Sequence, residues 1–101
     1  MDPTRLNLEW DPDKAKKNLR KHGVTFGQGA TVLLDPLAMN LYDKEHSGEE
    51  DRWVTLGRSS RGDILVVVHT FDEQTDGNVA VRIISARPAT KREEQRYEAN
   101  L

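Results

Sequence analysis

The sequence predicts an α+β fold, an antiparallel sheet preceded by two helices and followed by one. Three observations carry this prediction. Helical patterns occupy the early segments 12–22 and 26–34 and the late segment 91–99, while strand patterns dominate between them. Those strands are joined by turns too short for a crossover helix, so consecutive strands pair antiparallel. Ile64–Thr70 is apolar on both faces until His69, as a central strand is. The helices are expected mainly on one face of the sheet.

The elements follow in order. Leu6-Asn7-Leu8-Glu9-Trp10 alternates with the period of a half-buried strand. Asp11-Pro12 opens a helix, the carboxylate capping free amides and the proline tolerated in the first turn. That helix runs from Pro12 to His22 and stops at Gly23, a residue that readily turns left-handed. Ala15, Leu19 and His22 share one side of it, and Lys14, Lys17 and Lys21 another, with Asn18 beside the lysines. Thr25-x-x-Gln28 has the form of a capping box and predicts a second helix over Phe26–Leu34. Gly27 and Gly29 weaken it, by up to about 1 kcal/mol each relative to alanine, and Asp35-Pro36 ends it.

Leu37–Tyr42 reads as a short strand and Asp43–Asp51 as an acidic loop. Arg52–Arg58 alternates, with Trp53, Thr55 and Gly57 opposite Val54 and Leu56. Ser59–Asp63 is turn chemistry. After the central strand, Asp72–Asn78 is a polar loop carrying Asp76-Gly77, a hairpin signal. Val79–Ala86 is the last strand, broken by Pro88. Thr90-x-x-Glu93 then caps a very polar helix through about Ala99.

Composition bounds the function. A chain of 101 residues makes one domain, 1–101. With 36% hydrophobic residues, 32% charged and a mean hydropathy of −0.75, it has a wet surface around a small core. No apolar run approaches the roughly 20 residues that span a bilayer. Met1-Asp2-Pro3 opens a polar stretch, so no secretory signal is expected and the address is cytoplasmic. The absence of cysteine excludes disulfides, thiolate metal sites and a cysteine nucleophile.

The net charge of −2 does not announce a nucleic-acid binder, but its distribution is uneven. Lys14, Lys16, Lys17, Arg20 and Lys21 form one basic block, and Arg82, Arg87, Lys91, Arg92 and Arg96 another. Asp43, Glu45, Glu49, Glu50 and Asp51 form an acidic one. A chain so polarised can present a positive cleft while slightly acidic in sum, although any one block also reads as an ordinary solvated face.

His22, His46 and His69 are far apart in sequence, and neither His-Glu-x-x-His nor a glycine-rich phosphate loop occurs, so no metal or cofactor is expected. The chemical asset is cationic. Arg58 ends one strand, His69 lies near the end of the next, and Arg82 and Arg87 lie within and just past the last. In a meander these could converge with Lys21 of the first helix. Arginines hold phosphate through forked hydrogen bonds and stabilise charge developing on its oxygens. Histidine titrates near neutrality and can move protons between a 2′-hydroxyl and a leaving 5′-oxygen.

Each residue has a plainer use: Arg82 pairing a carboxylate, His69 hydrogen-bonded in the core, Lys21 solvated, His22 favoured by the helix C-terminus. Trp10 and Trp53 read as core anchors rather than base-stacking platforms, and Tyr97 as the residue that docks the last helix.

Several motifs resemble the BrnT toxin family: Glu9-Trp10-Asp11-Pro12-Asp13-Lys14, Asn18-Leu19-Arg20-Lys21-His22-Gly23-Val24 with Phe26, Arg52-Trp53 with Gly57, and Arg82-Ile83-Ile84-Ser85-Ala86-Arg87 with Ala89-Thr90, Glu93 and Tyr97. They span Leu8 to Glu98. The resemblance implies a RelE-like fold and a small ribonuclease of a type II toxin–antitoxin pair. It implies neutralisation by a BrnA-type antitoxin with a ribbon-helix-helix DNA-binding part, in a 2:2 complex that represses its own promoter. Carried over by position, the functional residues are Lys21, Arg58, His69, Arg82 and Arg87. Gly27 and Gly29 depart from the family's pattern of helix-favouring residues, which puts the length of the second helix in question.

The resulting expectation is a metal-independent endoribonuclease in which Arg82 and Arg87 clamp the scissile phosphate, Lys21 and Arg58 position the RNA backbone and His69 moves a proton. The alternative is a non-enzymatic protein- or nucleic-acid-binding module, a catalytically inactive toxin relative.

Overall fold

The computed structural model describes residues 5–48 and 50–101; Met1-Asp2-Pro3 and Glu49 of the acidic run lie outside them. The described residues form three helices and a six-stranded sheet in the order β1(Leu6–Glu9), α1(Pro12–His22), α2(Phe26–Val32), β2(Met39–Tyr42), β3(Arg52–Arg58), β4(Ile64–Thr70), β5(Asp72–Glu73), β6(Val79–Pro88), α3(Lys91–Ala99). The sheet order is β1-β6-β4-β3-β2, with β5 also paired to β6.

The sheet is mixed, which corrects the antiparallel expectation. β2, β3, β4 and β6 do pair antiparallel, but β1 lies parallel to β6, Leu6 opposite Val79 and Glu9 opposite Arg82. The hairpin rule governs strands joined by tight turns. β1 is separated from β6 by the rest of the fold and is free of it.

Local chemistry accounts for the helices. Asp11 accepts from the Asp13 and Lys14 amides, and Gly23 closes α1 at φ 70°. Reciprocal capping boxes open α2 through Thr25 and Gln28, and α3 through Thr90 and Glu93. α2 ends at Val32, two residues before the expected Leu34. The Leu33 and Leu34 amides bond three residues back, to Ala30 and Thr31, tightening the turn, and the Asp35 carboxylate then takes the Leu37 amide. β2 therefore starts at Met39 rather than Leu37.

β6 continues through Pro88 instead of stopping at Ala86. The Ala86 amide points away from β4, toward Asn18, so alternation turns the Pro88 nitrogen the same way and no ladder bond is lost. Asp72–Glu73, expected as loop, pairs with Val79 and Ala80.

The two faces of the sheet carry separate cores. α1 and α2 cover one, where Val24, Phe26 and Val32 meet Leu65, Val67, Val79, Val81, Ile83 and Ala86, with Ala15 against them. Trp10 meets Phe26 edge-on. Gly29 belongs to this contact: a Cβ there would lie 2.9 Å from that of Ala86, so the residue that weakens the helix is what lets it approach the sheet. α3 lies on the opposite face, correcting the one-sided expectation. Its Tyr97, 2% exposed, packs with Leu56, Ile64 and Val66. Helices on both sides explain why β4 is apolar on both.

Candidate active site

Strand alternation assigns each candidate side chain to a face. Leu65 and Val67 point toward α1 and α2, and His69, next in phase, does the same; Ile64 and Val66 point toward α3. Arg58 and Arg87, level with Ile64 and Val66, share the α3 face.

Arg82 and Arg87 are five residues apart, so a regular strand would send them to opposite faces. A bulge prevents this. Val68 pairs with Ser85 but His69 pairs with Ile83, leaving Ile84 as an extra residue. Val79, Val81 and Ile83 therefore share a face with Ala86, and Arg82 shares the other with Arg87. Bulges commonly re-aim side chains in this way.

Each of the three arginines is already held. Arg82 Nη2 donates to Glu50 Oε1 at 2.6 Å, an exposed pair whose carboxylate lies on the 43–51 loop. The bond from Arg82 holds the Glu50 carboxyl below its ordinary pKa. Arg87 donates through both terminal nitrogens to Glu93, at 2.8 and 3.0 Å. This fork, with the Thr90 amide, brings the Glu93 pKa down to about 2. Arg58 donates to the Gly62 carbonyl at 2.8 Å, and its guanidinium lies 5.6 Å from the centre of the Tyr97 ring.

The Tyr97 hydroxyl donates to Asp35, which also accepts from the Arg58 amide. Desolvation would raise the Asp35 pKa, but these hydrogen bonds outweigh it and hold the carboxyl low.

Arg58 and Arg87 are thus built into the docking of α3, and Glu93 also closes its cap. Arg82 is the cation whose partner an incoming phosphate can replace at least structural cost. Arg52, which the sequence reading used only as part of a motif, is paired with Thr70 on this same face. The Thr70 hydroxyl in turn accepts from the Arg82 amide. The signal for Arg52 was its phase: in the alternating β3 it stands two residues before Val54 and four before Leu56.

His69 and Lys21 do not join this cluster. His69 is 4% exposed on the opposite face. Its Nδ1 lies 3.0 Å from the Thr70 carbonyl oxygen, so Nδ1 carries the proton, and its Nε2 lies 2.7 Å from Thr55 Oγ1. Alternation along β4 and the β4/β6 register thus place His69 on the face away from the arginines it was expected to join. Lys21 is exposed in the last turn of α1, which packs on the α1/α2 side. Among the described residues no hydrogen bond or ion pair joins it to the arginines.

Burial lowers the His69 pKa, against the Thr70 bond, which raises it. The unfolded chain therefore takes up this proton near 6.5 and the folded chain only at lower pH. His69 should contribute stability above that value and lose it as the pH falls through the folded pKa. Thermal midpoints measured across this range should fall on acidification, and more steeply for the wild type than for His69→Gln. Equal slopes would show that His69 titrates as in the unfolded chain.

A family model described as "Ribonuclease toxin, BrnT, of type II toxin-antitoxin system" matches residues 10–93. The chain belongs to the BrnT family. The crystal structure of the Brucella abortus ribonuclease toxin BrnT is similar in fold, with a TM-score of 0.61 and 24% sequence identity, covering 87% of this chain and 100% of that one. No curated protein sequence matches. The BrnT match extends from Trp10 into the capping box of α3, so it includes Arg58, Arg82 and Arg87 with the ion-paired Glu50 and Glu93. No helix among the described residues of this BrnT-family chain is long and apolar enough to cross a membrane.

Proposed function

We propose that this BrnT-family chain is a metal-independent endoribonuclease of the RelE-like kind, acting through the arginines of the α3 face. The observation that carries this reading is the bulge at Ile84, which brings Arg82 onto the face that already holds Arg58 and Arg87. The 2′-hydroxyl oxygen of one nucleotide attacks the adjacent phosphorus as its proton passes to water. The bond to the 5′-oxygen breaks and that oxygen takes a proton from water, and the products are a 2′,3′-cyclic phosphate and a 5′-hydroxyl. Negative charge gathers on the non-bridging oxygens at the transition state, where a preorganised guanidinium stabilises it without a metal ion.

Arg82 takes that phosphate, exchanging Glu50 for it. Thr70 and Val66, the β4 residues level with Arg82 and Arg87, are four positions apart, so the two arginines are rooted about 13 Å apart at about 3.3 Å per residue. Arg87 and Arg58 therefore supply positive potential along the RNA rather than a second grip on the same phosphate. Lys21, on the other side, has no place in this step. The cognate partner in this reading is a BrnA-type antitoxin with a ribbon-helix-helix part, forming a 2:2 complex that carries promoter DNA through the antitoxin.

A second reading, binding without cleavage, has one observation in its favour: Arg58, Arg82 and Arg87 are each already held by an oxygen of the chain. Cleavage of RNA by the purified chain, undiminished by EDTA and leaving cyclic phosphate ends, separates the two. Loss of cutting with EDTA, or 5′-phosphate products, would refute the proposed chemistry, and no cutting by folded protein would favour the binding module.

A further inference from the structure

α1 and α2 do not cover the whole of their face. Beyond them lies an open groove of about 290 Å³ lined by Leu6, Leu33, Asn40, Trp53, His69, Phe71 and Val81. Its size is at the small end of ligand sites, which run from roughly 300 to 1,000 Å³, and suits one or two apolar side chains. Its few polar atoms lie within hydrogen-bond distance of one another. Thr55 Oγ1 lies 2.7 Å from both Asn40 Oδ1 and His69 Nε2, and the other ring nitrogen of His69 meets the Thr70 carbonyl. An occupant is therefore offered apolar surface, with Leu6 37% and Phe71 42% exposed.

Phe71 is also the boundary to a second hollow, of about 200 Å³ and opposite character, lined by Glu50, Asp51, Thr70 and Asp72 besides Phe71. Glu50 is taken by Arg82, which leaves the carboxylates of Asp51 and Asp72 to attract a basic chain. Glu50 and Thr70 in its wall both hydrogen-bond Arg82, so this hollow joins the groove at Phe71 to the edge of the arginine cluster. A chain anchored in the groove reaches the arginine face by crossing it.

We infer that the groove and the acidic hollow together form the docking surface for the antitoxin, through a segment that seats an apolar side chain in the groove and places Lys or Arg beside Asp51 and Asp72. The inference rests on the toxin reading, since a type II system supplies a protein antitoxin. A partner held there reaches the arginine face from its edge and covers it without an anchor on that face.

The test is a titration of the purified chain with the purified antitoxin protein of its operon, alongside an RNA cleavage assay on the chain alone. Phe71→Glu should weaken the complex at least thirtyfold, and Asp51→Lys combined with Asp72→Lys at least tenfold, with a flatter dependence on salt. Leu34→Glu, at a leucine 73% exposed that is not among the groove's lining residues, should bind as the wild type does. Cleavage by the free variants should be unchanged.

Folded Phe71→Glu binding within threefold of the wild type overturns the inference, as does a variant that loses RNA cleavage but keeps the antitoxin. A wild-type chain that cuts no RNA, yet shows these losses of antitoxin binding, refutes the ribonuclease reading and leaves the docking surface standing.

Discussion

Arg82→Ala should lower the rate of RNA cleavage at least a hundredfold while leaving the fold intact. The magnitude follows from the role. A donor aimed at charge that develops in the transition state contributes about 10²–10³ in rate when removed alone. Arg82 is partly exposed and its partner Glu50 is on a surface loop, so its loss costs little stability. Arg87→Ala should behave differently, because it frees Glu93 and loosens the cap of α3, lowering stability along with activity. The measurement is single-turnover cleavage of a labelled RNA beside a thermal melt of each variant. An Arg82→Ala protein that cuts within fivefold of the wild type would remove Arg82 from the chemistry. Glu50→Gln sharpens the test: without its carboxylate the guanidinium is open to phosphate, and RNA affinity should rise.

Asn18→Ala should be the most destabilising of the substitutions considered, by about 3 kcal/mol. The side chain is 8% exposed and makes three hydrogen bonds. Its amide nitrogen donates to the Val24 carbonyl at 3.0 Å and the Ala86 carbonyl at 2.7 Å, and its oxygen accepts from the Ala86 amide at 3.1 Å. β1 pairs with β6 only as far as Arg82, so at Ala86 the side chain of Asn18 takes the place of a neighbouring strand. Alanine would leave those buried backbone groups unpaired, each at roughly 1–3 kcal/mol. Asn18→Asp should rescue little, since it can accept from the Ala86 amide but cannot donate to either carbonyl. Denaturant unfolding measures both, and a loss under 1 kcal/mol for Asn18→Ala would show that water replaces the side chain there.

Asn18 shows how far the sequence could be read. Helical spacing puts Asn18 beside the lysines and Leu19 with Ala15 and His22, yet Asn18 is buried and Leu19 is 47% exposed. Polarity misleads here because the surface that α1 meets is a strand edge with free amide and carbonyl groups, which an apolar residue cannot satisfy. Local signals fared better. α1, β3 and β4 have the expected boundaries, and α3 opens at the expected cap, because Asp11, Gly23, Thr90 and the turn at Ser59–Asp63 act on their own neighbours.

The family was legible as well, since its motifs are strings of adjacent residues. So were the sheet's central strand and the docking of the last helix through Tyr97, both written as apolar or aromatic character at particular positions. What the sequence could not determine was which face each cation takes. His69 and the arginines are separated by a sheet because alternation carries His69 with Leu65 and Val67. Arg82 and Arg87 come together only because β6 spends one extra residue opposite β4. A shift of one residue exchanges the two faces of a strand. The register between two distant strands therefore decides which charges meet, and only the assembled sheet sets that register.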